Sequence, residues 1–215
     1  MAIEFDALSD GDSSASWSHT VSGTDTILFV AVYDHENTVT AATYNAEAMT
    51  LLLSQSVDGG TPKVKVYYKI APASGTNTVA LVGVLDTDSQ AFSYKGVLQS
   101  GFPDASAGRS ETGSQTTAQT ITTVASGCWA FAFSRNANSE TTSDTGNDIT
   151  TKRTVAASSI SWWDTNASVA ASTVVDANFT CGASTNWGMV VASFAPAGGG
   201  ATAQPISTLA FMGAG

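Results

Sequence analysis

Thr26-Ile-Leu-Phe-Val-Ala-Val-Tyr33, Val39-Thr-Ala-Ala-Thr-Tyr44, Met49-Thr-Leu-Leu-Leu53, Val64-Lys-Val-Tyr-Tyr-Lys-Ile70 and Thr76-Asn-Thr-Val-Ala-Leu-Val82 follow one another along the chain. Each is a short run rich in β-branched and aromatic residues. Gly, Pro, Asn, Asp or Ser separates the runs at spacings of roughly eight to twelve residues, which is the signal of an antiparallel sandwich. Working outward, Phe5–Leu8 and Trp17–Val21 predict opening strands. Ala91–Leu98, Ala118–Val124, Cys128–Phe133, Ile149–Ala156, Ile160–Asp164, Ala167–Val175 and Trp187–Phe194 predict later ones. Residues 100–116 and 135–148 lack periodicity and predict polar loops, the first of a length that is usually functional. No segment sustains a 3.6-residue period. The expectation is an all-β, antiparallel, two-sheet β-sandwich of jelly-roll type with about a dozen strands, occupying residues 1–195.

Composition bounds the function. The chain has 215 residues, enough to bury most of its unfolded surface without staples. Only 12% of residues are charged, about half the usual share. Ser and Thr make up about a quarter of the chain. Such an uncharged polar surface suits packing against neighbours, because hydroxyls cost less to desolvate than charges. The net charge of −10 argues against nucleic-acid binding, which depends on phosphate neutralisation. Residues 1–62 hold nine acids and no Lys or Arg, and Lys63, Lys65 and Lys69 then arrive together. This pattern is either an acidic face meeting a basic one across a subunit contact or a solvated acidic surface. The start, Met-Ala-Ile-Glu-Phe-Asp, carries no basic or apolar leader pattern, and no apolar run reaches membrane-helix length. Synthesis in a cytoplasm without membrane insertion is expected, and with it reduced, buried Cys128 and Cys181.

Candidate chemistry is sparse. His19 and His35 are the only histidines, and neither belongs to a ligand pattern. His19 falls on a strand and His35 in a turn, and both are read as structural. No Gly-x-Ser-x-Gly elbow is present. Asp10/Asp12, Asp86/Asp88 and Asp144/Asp148 are read as turn formers in preference to calcium loops, so no cofactor or metal is expected. Adjacent residues of a strand face opposite sides, so one of Trp162 and Trp163 is expected to look outward, as is one of Tyr67 and Tyr68. An outward Trp162 or Trp163 could stack on a sugar or anchor a partner. Residues 196–215 depart from the strand pattern. A Gly/Pro-rich linker leads to Ile206, Leu209, Phe211 and Met212, an apolar tag of the kind that docks on a neighbour.

The order of motifs resembles a β-sandwich family of tailed-phage structural proteins, related in pattern to modules of bacterial surface proteins. The residues that carry the likeness are Ser18-His-Thr-Val21, Ile27–Tyr33, Val39–Tyr44 with Met49-Thr-Leu51, Val64–Ile70 with Pro72-Ala-Ser-Gly-Thr76, Ala91–Val97 and Trp187–Phe194. They are strand and turn signatures, so they specify fold better than function. The resemblance implies a non-enzymatic virion protein made in the host cytoplasm, a capsid decoration or cement protein or another accessory component. It implies the major capsid protein or other virion proteins as partners, a homo-oligomer with a trimer as one arrangement, and no catalytic residues. On the particle, Ile206, Leu209, Phe211 and Met212 would be the anchors and the 100–116 loop a second contact. The alternative is a carbohydrate-binding module for host glycans, with Trp162 or Trp163 as its platform.

Overall fold

The computed structural model describes residues 1–57, 59–84, 86–136, 142–143, 146–153 and 160–198. In chain order its strands are β1 (Glu4–Asp12), β2 (Ser16–Val21), β3 (Ile27–Asp34), β4 (Ala41–Tyr44), β5 (Glu47–Ala48), β6 (Thr50–Ser56), β7 (Lys63–Ile70) and β8 (Gly75–Val82). They continue with β9 (Thr87–Lys95), β10 (Ala105–Thr122), β11 (Trp129–Asn136), β12 (Thr142–Ser143), β13 (Thr151–Lys152), β14 (Ile160–Asp164) and β15 (Val174–Phe194). No helix occurs among the described residues, and every strand pairing is antiparallel.

The apolar run that opened the reading is the middle of the molecule. All eight residues of β3 are buried. Ile27, Phe29, Ala31 and Tyr33 enter one core, and Leu28, Val30 and Val32 enter another. A strand covered on both faces reads as a continuous apolar run, because neither side needs polar residues. β3 lies at the centre of a sheet ordered β1-β9-β3-β7-β6. A second sheet, β2-β8-β4-β5, covers one face, and a third, β10-β15-β11-β14-β13 with β12 beside β15, covers the other. The all-β antiparallel sandwich is therefore present. It has three sheets where two were expected, and the strand orders do not establish a jelly-roll winding.

The third sheet doubles over. β10 and β15 pair from Ala105↔Ser193 to Glu111↔Trp187, slip register near Ser114↔Thr185, and pair again from Thr116↔Thr180 to Thr122↔Val174. Trp187, Met189 and Val191 then share a third core with Val175, Ala177 and Phe179 of the same strand. This is possible only if the ribbon folds back across the outer face of its own sheet. The corner is held by side chains. Asn186 Oδ1 accepts from Gly113 N (3.1 Å), and Trp187 Nε1 donates to Ser114 O (3.0 Å). Gly113 supplies a φ of +63 there. Gly188 permits a close approach of another kind, since a Cβ on it would lie 2.9 Å from Ser56 O in the first sheet.

The expected loop at 100–116 is thus mostly strand, because β10 starts at Ala105. Its residues alternate between small alanines facing the third core and exposed Ser, Gly and Thr, so hydrophobic periodicity does not mark it. The strand expected at 167–175 begins only at Val174, with an isolated Cys128↔Val169 bridge before it. Of the expected 149–156 strand, only Thr151–Lys152 forms among the described residues. The tag residues Ile206, Leu209, Phe211 and Met212 lie outside the described residues, as does Asp144.

Candidate functional site

Several charged and hydroxyl groups of the interior form connected clusters. Lys65 and Asp34 are both buried, with Lys65 Nζ 2.8 Å from Asp34 Oδ2. Lys69 reaches Glu47 at 2.8 Å, and Lys63 Nζ donates to Ser56 Oγ. The three lysines that follow the acidic N-terminal third each bond a partner within the chain. Arg153 and Tyr94 converge on the buried carboxylate of Asp164, and Trp162 Nε1 donates to the Tyr94 hydroxyl at 2.8 Å.

His19 has the same inward role. Trp17 Nε1 donates to Ser9 Oγ (3.0 Å), and Ser9 Oγ lies 2.8 Å from His19 Nδ1. His19 Nε2 lies 3.1 Å from Ser93 Oγ, which donates to Asp6 Oδ2 at 2.7 Å. One directional chain satisfies every member if His19 is neutral with its proton on Nε2. A Ser-His-Ser-Asp order could suggest nucleophilic chemistry. Here His19 is 1% exposed, and Ser9 Oγ already takes a hydrogen bond from Trp17, so the cluster ties β2 to β1 and β9.

Burial pushes the His19 pKa down to about 4, against a smaller upward pull from Asp6. Burial also raises the Asp6 carboxyl, but hydrogen bonds from Ser22 and Ser93, with the field of His19, leave it below its ordinary value. The unfolded histidine takes its proton near pH 6.5, while the folded one resists until about pH 4. Stability should therefore fall as the pH drops through that window, by up to about 3 kcal/mol for a shift of this size. Asp6 adds a loss of the same sign at lower pH. Asp88, raised by burial, acts oppositely in the carboxylate range. The histidine is isolated by comparing wild type with His19→Gln in urea unfolding across the window. The wild-type slope should be steeper, and equal slopes would contradict the assignment.

The two tryptophans do not form an outward platform. Trp162 is fully buried between Phe92 and Phe131, stacked at 4.4 and 4.2 Å. Trp163 is 7% exposed and packs on Phe179 in the third core. The neighbours do face opposite sides, but the folded-over ribbon covers the side that would otherwise be wet. Tyr67 is buried and Tyr68 packs on Phe102, which disposes of the other aromatic pair in the same way. His35 sits in its turn near Asp86. Asp10 Oδ1 accepts from Asp12 N, as a turn former does. Among the described residues no three His, Cys, Asp or Glu side chains come together as a metal site would need.

Several connecting segments come together at one end of the molecule. Residues 96–101, 123–128, 165–173 and 195–198 meet there and contain no charged side chain. Their connections are direct. Leu98 N donates to Ala195 O, Gly127 N to Val169 O, and Ser172 N to Thr123 O. The carboxylate of Asp104 clasps the base of the folded ribbon, accepting from Val124 N (2.9 Å), Ala125 N (2.8 Å) and Ser193 Oγ (2.9 Å). Cys128, beneath the clasp, donates to Ala125 O. Burial and the neighbouring Asp104 push its thiol up to about 12, so it stays protonated and inert at neutral pH. Neither cysteine is in a disulfide.

Five large hydrophobic side chains are exposed among the described residues, and three of them, Met1 (71%), Val124 (69%) and Val174 (54%), are at this end. The Met1 amine is bonded to Ala197 O, which places it there. A cleft of about 260 Å³ lies between Leu98, Ser100, Asp104, Val124 and Ala195. A more open one of about 390 Å³ is lined by Asp148, Thr165, Val169, Ala170, Thr173 and Val175. No family model, curated protein or solved structure matches the chain. The end is therefore read from its own chemistry. Two clefts and the exposed Met1, Val124 and Val174 lie at this end, and the exposed Asp148 lines the second cleft.

Sequence reading missed this surface, since an exposed valine looks like a buried one in a sequence. The available signal was the absence of charge from four separate connecting segments, where charges are normally welcome.

Proposed function

We propose that this chain is a non-catalytic assembly protein, an accessory virion component of the capsid-decoration kind, which joins neighbouring subunits through the end that exposes Met1, Val124 and Val174. The observation that carries this reading is that three of the five large hydrophobics exposed among the described residues, Met1, Val124 and Val174, lie on or beside connecting segments without charged side chains in a chain of net charge −10. Large apolar side chains exposed at one end of a molecule are typical of contact surfaces on soluble proteins. The interior polar clusters support the same role. They pin the layers to each other and give a stiff body, so binding at the end loses little conformational entropy. The chain leaves the described region at Gly198, beside this end, and Ile206, Leu209, Phe211 and Met212 follow in sequence. Many modest contacts of this sort, repeated over a shell, hold it by multivalency. The major capsid protein or another virion protein would be the surface decorated.

The test is quantitative mass spectrometry of particles purified from the source culture. The chain should be present at a fixed copy number relative to the major shell protein and should survive a salt wash. Recovery of the chain only in the particle-free fraction would contradict the proposal.

A further inference from the structure

We infer that the outer edge of β10 between Thr116 and Thr122 is a strand-addition site, which takes an extended, basic, acid-free segment of the shell protein that this chain decorates. The inference rests on the assembly reading and names the kind of segment bound.

β10 is the outermost strand of the third sheet, so from Thr116 to Thr122 it has β15 on one side and no strand on the other. Which backbone groups face the open side follows from β15. Asp176 N donates to Asp148 Oδ2 (2.8 Å) and Asp176 O accepts from Asp148 N (3.0 Å), so both point away from β10. Asp176 stands opposite Thr120. Opposed residues that do not exchange bonds are the non-hydrogen-bonded pair of an antiparallel ladder, and such pairs recur at every second residue. Two further bonds fit this alternation. Asn178 O, opposite Ala118, accepts from Asn147 Nδ2 (2.7 Å), and Thr123 N donates to Thr173 O (3.0 Å), one step beyond the Thr122↔Val174 pair. Ala118, Thr120 and Thr122 therefore turn their N–H and C=O groups to the open edge. Gln119 Nε2 donates to Thr120 O at 2.9 Å, and among the described residues no other hydrogen bond reaches these three residues from that side.

The open stretch is bounded at both ends. Before it, Ser114 Oγ accepts from Thr116 N beside the register slip, and after it the Asp104 carboxylate takes Val124 N and Ala125 N. The span, at about 3.3 Å per residue, has room for an added strand of about six or seven residues. Natural edges are blunted by charge, proline or cover. β1 carries Glu4, Asp6, Asp10 and Asp12, and β6 is covered where Ser110 Oγ donates to Ser56 O. Thr116-Thr-Ala-Gln-Thr-Ile-Thr122 has no charge, Pro or Gly, and its Thr and Ile residues favour strands. Strand addition to such an edge draws its affinity from main-chain bonds and its specificity from the neighbouring side chains. Those neighbours select the occupant. Thr116, Ala118, Thr120 and Thr122 are exposed, and Asp176 is beside Thr120 on the same face with the exposed Asp148 next to it. No Lys or Arg among the described residues pairs with either acid. Side chains of an added strand would lie within about one Debye length, roughly 8–10 Å, of these carboxylates. On a chain of net charge −10, Lys or Arg is favoured there and an acid is repelled, so a second copy of this chain fits less well than a basic segment.

The experiment is sedimentation of the full chain with particles from the source culture, with hydrogen exchange of the bound chain read by mass spectrometry. Thr120→Lys should raise the apparent dissociation constant by about tenfold or more, since it sets a like charge against the incoming segment. Thr120→Glu should bind at least as tightly as wild type. Both should keep the wild-type circular dichroism spectrum, because Thr120 is exposed and its backbone does not bond β15. The peptide spanning 116–122 should exchange about tenfold or more slowly in the bound chain, since its open N–H groups gain partners. Equal binding by wild type and both variants, equal loss in both variants, or unchanged exchange at 116–122 would overturn the inference. Protection of 116–122 that rises with concentration in the chain alone would put a second copy on the edge and overturn it as well. A chain that does not pellet with particles removes the assembly reading together with this one. A chain that pellets with 116–122 unprotected keeps the assembly reading and loses only the added strand.

Discussion

Replacing Trp162 by alanine should destabilise the protein by about 3–5 kcal/mol, the usual range for deleting a large buried aromatic. Trp162 is fully buried in the core between the first and third sheets. It stacks between Phe92 of the first sheet and Phe131 of the third, at interplanar angles of 14° and 12°, so its removal leaves a hole between sheets that neither can fill alone. A second cost is polar. Tyr94 donates to Asp164 and accepts from Trp162 Nε1, and alanine leaves that hydroxyl, which is itself buried, with one fewer partner. Trp162→Phe should restore most of the packing but not the donor, and should cost about 1–3 kcal/mol. Urea unfolding monitored by circular dichroism separates the two variants. An alanine variant within about 1 kcal/mol of wild type would mean that the sheets are not packed through this residue.

Lys65→Met should be equally severe, at about 3–5 kcal/mol, because it leaves the fully buried Asp34 without its countercharge. Asp34 accepts from Thr38 N (3.1 Å), Val39 N (2.8 Å) and Lys65 Nζ (2.8 Å), and Lys65 also donates to Val39 O at 2.7 Å. The pair therefore folds the β3–β4 connection onto β7. Removing the lysine strips one of three donors from a carboxylate that water cannot reach. The double variant Asp34→Leu with Lys65→Met should cost clearly less than the sum of the two single changes, since it leaves no orphan charge. Strict additivity would contradict the coupling.

These buried pairs also show how much of the molecule was legible in its sequence. The strand runs and their turns gave the all-β sandwich, because β-branched residues and Gly/Asn/Asp punctuation are local signals. The layer count was harder. Ile27–Tyr33 reads as an apolar strand whether one or two faces are covered, and Trp162-Trp163 reads as half exposed unless the ribbon of β10 and β15 is known to fold back over it. That fold-back depends on a register slip at Ser114 and on the clasp of Asp104, contacts between residues far apart in the chain. The lysines after the acidic segment were visible, yet their partners were settled by pairing across strands. Of the proposed contact surface, the lack of charged side chains was readable in each segment, but the meeting of the segments at one end was not.

The account stands or falls on that end being an association surface, and the salt dependence of its binding tests this most directly. In a sedimentation assay with particles from the source culture, the full chain should pellet with them in a fraction that holds as salt goes from about 0.05 to about 0.5 M, since apolar burial is not screened, and Val174→Asp should lower that fraction. A bound fraction that falls steeply with salt, or that Val174→Asp leaves unchanged, would contradict it.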